Sequence, residues 1–200
     1  MRAKQWTLAI ALAGLMLLLQ LVEPELLRYQ QNWLEAGEIW RLISAHFVHL
    51  NWTHLALNVA GLMLCIAICK PQWTIVQWLV YHSILPVGIS LLLTLRNPEL
   101  DWYVGYSGVL FGIYVIGAID LYQRDRLFSQ LVLLFILGKV GLEQWSNLKV
   151  TNDELIGSPV IVDAHLYGVL LALTIAVVQW IHTLRLNHKL KKETRQEINK

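Results

Sequence analysis

The sequence is short of charge, of cysteine and of any regular repeat. Only 15% of its 200 residues are Asp, Glu, Lys or Arg, against about 25% in an ordinary soluble domain. A chain so poor in charge, with 56% hydrophobic residues, is neither disordered nor a coiled coil. A formal net charge of +2 is too small for a nucleic-acid binder, and no nucleic-acid partner is expected. Two cysteines, Cys65 and Cys69, exclude a disulfide scaffold, and their i, i+4 spacing in an apolar run reads as packing. No HExxH motif, internal repeat or low-complexity linker occurs, so the chain reads as one membrane domain over residues 1–200. Apolar runs and tryptophan are abundant. The nine Trp suit membrane–water interfaces, and together these features describe a polytopic membrane protein of the all-α class.

A spanning helix needs about 20 apolar residues, because the hydrocarbon core is about 30 Å thick and each residue rises about 1.5 Å. Six candidate spans follow: roughly Trp6–Val22, Thr53–Cys69, Trp73–Leu95, Ser107–Leu121, Leu127–Trp145 and Val160–Leu184. The first has a basic start like a signal peptide, but it runs on into Glu23-Pro24-Glu25 without a small-residue cleavage site and is expected to be a retained helix. With six spans, both termini share one side with Lys70 and Arg124–Arg126, and that side holds eleven Lys/Arg. The opposite side holds four, namely Arg28, Arg41, Arg96 and Lys149, while Lys139 falls within a span. The positive-inside rule therefore places both ends in the cytoplasm, with the tail of about 185–200 as a solvated basic helix at anionic head groups.

Polar residues inside such spans are expensive and count as functional candidates. Gly105-Tyr106-Ser107-Gly108 opens a hydrophobic helix, where free backbone N–H groups favour a developing oxyanion. Ser107 could equally be a helix cap, with Gly108 and Gly112 forming a packing face. His165 lies in Asp163-Ala164-His165-Leu166-Tyr167-Gly168. Ser158 and Pro159 look like the start of that helix, which would set His165 about 9 Å inside it. Gly168 and Ala172 continue its face as a small-residue stripe able to meet Gly108 and Gly112. His165 is read either as a packing residue or as a base, and Asp163, about 200° around the helix, is badly placed to orient it. His54 and Asn58 share one helix face at i, i+4 and can both donate hydrogen bonds. His46 and His49 read as loop hydrogen-bonding residues, since no Cys or well-spaced carboxylate completes a zinc set.

Taken together, Trp40-Arg41, then His49, His54 and Asn58, then Gly105-Tyr106-Ser107-Gly108, then Ala164-His165-Leu166-Tyr167-Gly168 resemble the rhomboid intramembrane serine proteases. The wording of residues 45–58 is most similar to the rhombosortase branch. The resemblance implies a six-helix bundle, Ser107 as nucleophile and His165 as general base in a dyad without a carboxylate. It implies an oxyanion hole from the Ser107 N–H, His54 and Asn58. Gly105 and Gly108 match the turn and close-packing positions beside the serine, and Trp40-Arg41 the pair anchoring the first external loop at the lipid interface. Two positions depart from the pattern: Val160 stands where a glycine is common, bearing on the packing of the last helix, and Tyr106 bears on the width of the substrate entry.

The resemblance further implies membrane-anchored substrates with a Gly-containing C-terminal hydrophobic helix, of the GlyGly-CTERM kind, cut by hydrolysis or by transfer to an amine. It implies a bacterial inner membrane with the site opening to the periplasm, and neither cofactor nor metal. The competing reading is a catalytically silent rhomboid-like protein that binds membrane clients.

Overall fold

The computed structural model describes residues 2–145 and 153–198, with side chains over 3–145 and 153–186. The expected external Lys149 and the basic side chains of the tail beyond residue 186 lie outside the described residues. Along the chain come α1 (Arg2–Leu19), α2 (Pro24–Leu27), β1 (Tyr29–Gln30), α3 (Arg41–Ser44), α4 (Trp52–Cys69) and α5 (Ile75–Arg96). Then follow β2 (Trp102–Tyr103), α6 (Ser107–Leu121), α7 (Arg126–Trp145), α8 (Asp153–Ile156) and α9 (Val162–Ile198).

Four helices, α4, α5, α7 and the first 25 residues of α9, are long and apolar enough to cross a membrane. Two shorter apolar helices, Ala3–Leu19 of α1 and Ser107–Leu121, complete the bundle. Exposed Leu79, Leu134, Phe135, Val177, Val178 and Trp180 coat its outside, as a lipid-facing surface requires. The chain is an all-α, multi-pass membrane protein built as a helical bundle.

The helices begin where their sequences supply caps. Asn51 accepts from the His54 N–H at 2.9 Å to start α4, and Thr74 and Gln77 form a capping box on α5. Lys70 closes α4 in the left-handed region at φ 46°. The two cysteines of α4 are free and buried, with Cys69 against Gly117 of α6. Gln5 of α1 donates to the Trp73 carbonyl at 2.7 Å and accepts from the Trp78 indole, docking α1 onto the start of α5.

The hub is α6. It is apolar all round and buried on nearly every face, as expected of a helix enclosed by others. At 15 residues it spans only about 22 Å, less than a hydrocarbon core, so it suits a position inside the protein. Glycines on both sides of its seam with α4 let the helices close: Leu110 of α6 fills the space over Gly61 of α4, and Gly117 of α6 faces Cys69 of α4. Tightest of all is the seam with α9. A Cβ on Gly108 would lie 2.7 Å from the Ala164 carbonyl oxygen, and one on Gly168 only 2.0 Å from the Gly108 oxygen. Ala172, further along the α9 stripe, is fully buried.

The start of α9 corrects one expectation. The helix begins at Val162, not at Pro159, because Gly157 (φ 68°) ends α8 in the left-handed region and the Asp153 carboxylate accepts the Val160 N–H at 3.0 Å. Residues 158–161 are thereby held out of the helix, and His165 sits within its first turn. Replacing Gly168 by Ala should force α6 and α9 apart. The expected outcome is a stability loss of about 1–3 kcal/mol, read as a lower melting temperature in detergent.

Candidate active site

The segments before α3 and before α6 meet at the N-terminal end of α6. Two-residue strands β1 and β2 pair antiparallel, with Tyr29 opposite Tyr103 and Gln30 opposite Trp102. Tyr103 donates its hydroxyl to the Gly105 carbonyl at 2.7 Å, and the Gly105 N–H donates to the Ala45 carbonyl at 3.0 Å. The turn before α6 is thus tied to both the first loop and the ribbon. Arg41 is buried and points inward. It donates to the Glu25 and Arg28 carbonyls at 2.7 and 2.8 Å, and to the Glu38 carboxylate at 2.6 Å. That guanidinium holds Glu38 below the usual carboxylate range. The interfacial partner of the pair is Trp40, half exposed, whose indole N–H donates to the Leu26 carbonyl.

Gly105 has a φ of 122°, a conformation open mainly to glycine. It also has no room for a side chain, since a Cβ there would lie 2.7 Å from the His54 ring. The next residue turns away from the cleft. Tyr106 is fully buried, and its hydroxyl meets His82 Nε2 at 2.8 Å, so it does not set the width of an entry. Ser107 is the first residue of α6, and no side chain caps this helix; the capping role considered for the serine is absent. Its Oγ lies 2.9 Å from His165 Nε2.

The imidazole of His165 is held on every side. It is buried and stacks on Phe111 with centroids 4.4 Å apart and planes 20° from parallel. Its Nδ1 lies 2.9 Å from Glu143 Oε2, and the other oxygen of Glu143 accepts from Lys139 Nζ at 2.5 Å. Lys139 also lies over the Phe111 ring, 5.7 Å from its centroid. Sequence reasoning passed over Glu143 and Phe111 and recorded Lys139 only as a charge inside a span. The missed signal was two opposite charges four residues apart in one apolar helix, a pair that pays heavily for desolvation. Asp163 is occupied elsewhere, accepting from Asn97 at 2.5 Å, while Tyr167 donates to Asn97 at 2.8 Å.

Ser107 and His165 share a cavity of about 140 Å³ with His54, Asn58, Glu143, Phe111 and Val160. A second cavity of about 300 Å³ lies outside it, walled by Leu50, Glu99, Trp102, Ser158 and Ile161, and again by Ser107. The serine stands between two spaces. On α4, the Asn58 amide donates one N–H to the His54 carbonyl at 3.0 Å, leaving its second N–H unassigned. The buried His54 Nδ1 has no protein partner, and its ring meets His49 edge-on at 5.0 Å. Among the described residues, no three His, Cys, Asp or Glu side chains cluster as a metal site. Chemically, the arrangement offers a hydroxyl, an imidazole to take its proton, and nearby donors for an anion.

The profile of the Rhomboid domain matches residues 36–181 of the chain. The chain is also similar to rhomboid-like protease 5 of Toxoplasma gondii, with 28% identity over 155 residues. That alignment covers 74% of this chain and 17% of the relative, so the chain spans about a sixth of the length of that protein.

His46 and His49, in the loop between α3 and α4, are fully buried. Burial pushes His46 down to about 3, and burial with the neighbouring His54 pushes His49 down to about 3. An unfolded chain protonates histidine near 6.5, so below that pH the unfolded state binds more protons and the folded loop loses stability as pH falls. The expected result is a melting temperature that drops between about pH 6.5 and about pH 4, with a shallower slope in His46→Gln, measured by thermal denaturation in detergent.

Proposed function

The chain belongs to the rhomboid family, and from that premise we propose that it is an intramembrane serine endopeptidase in which Ser107 is the nucleophile and His165 the general base. The observation that carries this reading is the 2.9 Å contact between Ser107 Oγ and His165 Nε2 on the wall of a cavity. A serine is a weak nucleophile until an adjacent base accepts its proton.

In the first half-reaction the Ser107 hydroxyl proton passes to His165 Nε2 as Oγ bonds to the scissile carbonyl carbon. The carbonyl electron pair moves onto oxygen, where the Ser107 N–H and the side chains of His54 and Asn58 receive the charge. Collapse re-forms the carbonyl and breaks the C–N bond, and the proton on Nε2 leaves with the amine. Water then attacks the acyl-enzyme, giving a proton to Nε2. The second collapse breaks the C–Oγ bond, returns that proton to Ser107 Oγ and frees a carboxylic acid, which gives its remaining proton to water.

The substrates we propose are membrane-anchored exported proteins ending in Gly-Gly, an apolar helix and basic residues, as in the rhombosortase branch. A Gly costs a helix about 1 kcal/mol relative to Ala, so such a segment unwinds cheaply into an extended, cleavable form. Two cavities meeting at Ser107 support the passage of chain on both sides of the scissile bond. The distribution of Lys and Arg supports cytoplasmic termini in a bacterial inner membrane, with the site opening to the periplasm.

A reporter carrying such a tail, incubated with purified enzyme, is expected to yield a new C-terminus identified by mass. Ser107→Ala and His165→Ala should each abolish that product while still inserting and folding. A fluorophosphonate should label the wild type at Ser107 alone. Cleavage retained by purified Ser107→Ala would remove the serine mechanism. Asn58→Ala should lower kcat by about 10²- to 10³-fold, the usual effect of losing one oxyanion donor.

A further inference from the structure

Glu143 is the deepest anomaly in the bundle. Its carboxylate has no exposed surface although it lies on α7, a helix apolar enough to span a membrane. An acid buried there is costly unless it is paired and hydrogen-bonded. Lys139, one turn earlier on the same helix, supplies the pairing through Oε1 and would by itself account for a helix-stabilising ion pair. The second oxygen is spent differently, on Nδ1 of His165 at 2.9 Å, across to another helix.

That contact decides the chemistry of the ring. A carboxylate only accepts hydrogen bonds, so Nδ1 must carry the proton that Glu143 receives. In neutral imidazole the other nitrogen then bears the lone pair, and that nitrogen, Nε2, faces Ser107 Oγ at 2.9 Å. The opposite tautomer would leave Glu143 facing a lone pair and Ser107 facing an N–H. Once Nε2 takes the serine proton, the imidazolium lies beside a fixed anion. Phe111 stacked on the ring holds its plane, and Lys139, over the Phe111 ring and bonded to Glu143, steadies both.

We propose that Glu143 is a positioning residue that completes a Ser107–His165–Glu143 relay, with Lys139 holding the carboxylate charged and aimed. The proposal rests on the protease reading above and deepens it: the dyad implied by family resemblance is, in this chain, supported by an acid from α7. An acid in this position on unrelated folds fixes the tautomer and orientation of the imidazole without itself taking the proton.

The test measures cleavage of the Gly-Gly tail reporter and the rate of fluorophosphonate labelling in wild type, E143Q, E143D and K139M, each checked by thermal melting. E143Q is expected to lower kcat by about 10²- to 10⁴-fold, with KM within about twofold and melting close to wild type. E143D, keeping the charge on a shorter arm, should recover part of that loss. K139M should lose less activity than E143Q, whereas a purely structural ion pair predicts comparable losses from the two. A folded E143Q with kcat near wild type, or one altered in KM alone, overturns the relay. Should E143Q fail to fold, E143D decides in its place: a lowered kcat at unchanged KM sustains the relay and a wild-type kcat overturns it. A wild type that neither cleaves nor labels sinks the protease reading instead, a result distinct from a labelled wild type with an indifferent Glu143.

Discussion

Everything around Ser107 depends on two helices touching backbone to backbone. Lipid offers no hydrophobic drive for helices to associate, so close van der Waals packing along small residues must do so. In this chain the packing residues are the immediate neighbours of the reactive ones. Gly108 follows Ser107 and Ala164 precedes His165, and it is Gly108 against Ala164 that sets the separation of α6 and α9. The hydroxyl and the imidazole are therefore held by the same contact that holds the helices. A displacement of about 1 Å at such a seam is enough to weaken positioned chemistry severely, which explains why the seam uses glycine at both Gly108 and Gly168.

Much of this was legible in the sequence, for reasons that differ by residue. Hydropathy gave the helices to within a few residues because an apolar stretch has few alternatives in a bilayer. Ser107, His165, His54 and Asn58, which line one cavity, stood out as polar side chains in apolar helices, but only the family resemblance implied that they act together. Other features were hidden in backbone detail. The late start of α9 follows from Gly157 and from the Asp153 carboxylate reaching Val160, a turn that helix-start rules overlooked in favour of Ser158 and Pro159. Trp40 and Arg41 were legible as a pair holding the first loop, but not the three acceptors, Glu25, Arg28 and Glu38, that Arg41 takes within it. Tyr106 was expected to bear on the width of an entry, but His82 offers its hydroxyl a buried partner. Glu143 escaped for a further reason: its meaning depends on which face of α7 meets α9, and periodicity alone does not set the rotation of a helix.

The loops show how polar backbone is managed beside a membrane. Arg41 takes carbonyls that no helix satisfies, Tyr103 takes the carbonyl of Gly105, and the β1–β2 pair takes others. Buried carbonyls and N–H groups left without partners would cost several kcal/mol each in a medium without water. The same bonds fix the turn of Gly105, and with it the direction in which α6 begins. Stability of the loop and aim of the serine are thus one problem with one set of hydrogen bonds.

Peptide hydrolysis needs water, and a helical bundle in lipid excludes it. The shortness of α6 reconciles these demands. At about 22 Å this helix is shorter than a hydrocarbon core about 30 Å thick, and its first turn lines a cavity. The groups found there are the ones able to hold water and charge: the free N–H groups of α6, the amide of Asn58, the unpartnered His54 Nδ1 and the Lys139–Glu143 pair. They come from α4, α6 and α7, while α9 supplies His165. A cavity that mixes these polar groups with Leu57, Leu110, Phe111 and Ile156 therefore follows from surrounding the start of a short central helix with the few polar side chains that the bundle keeps.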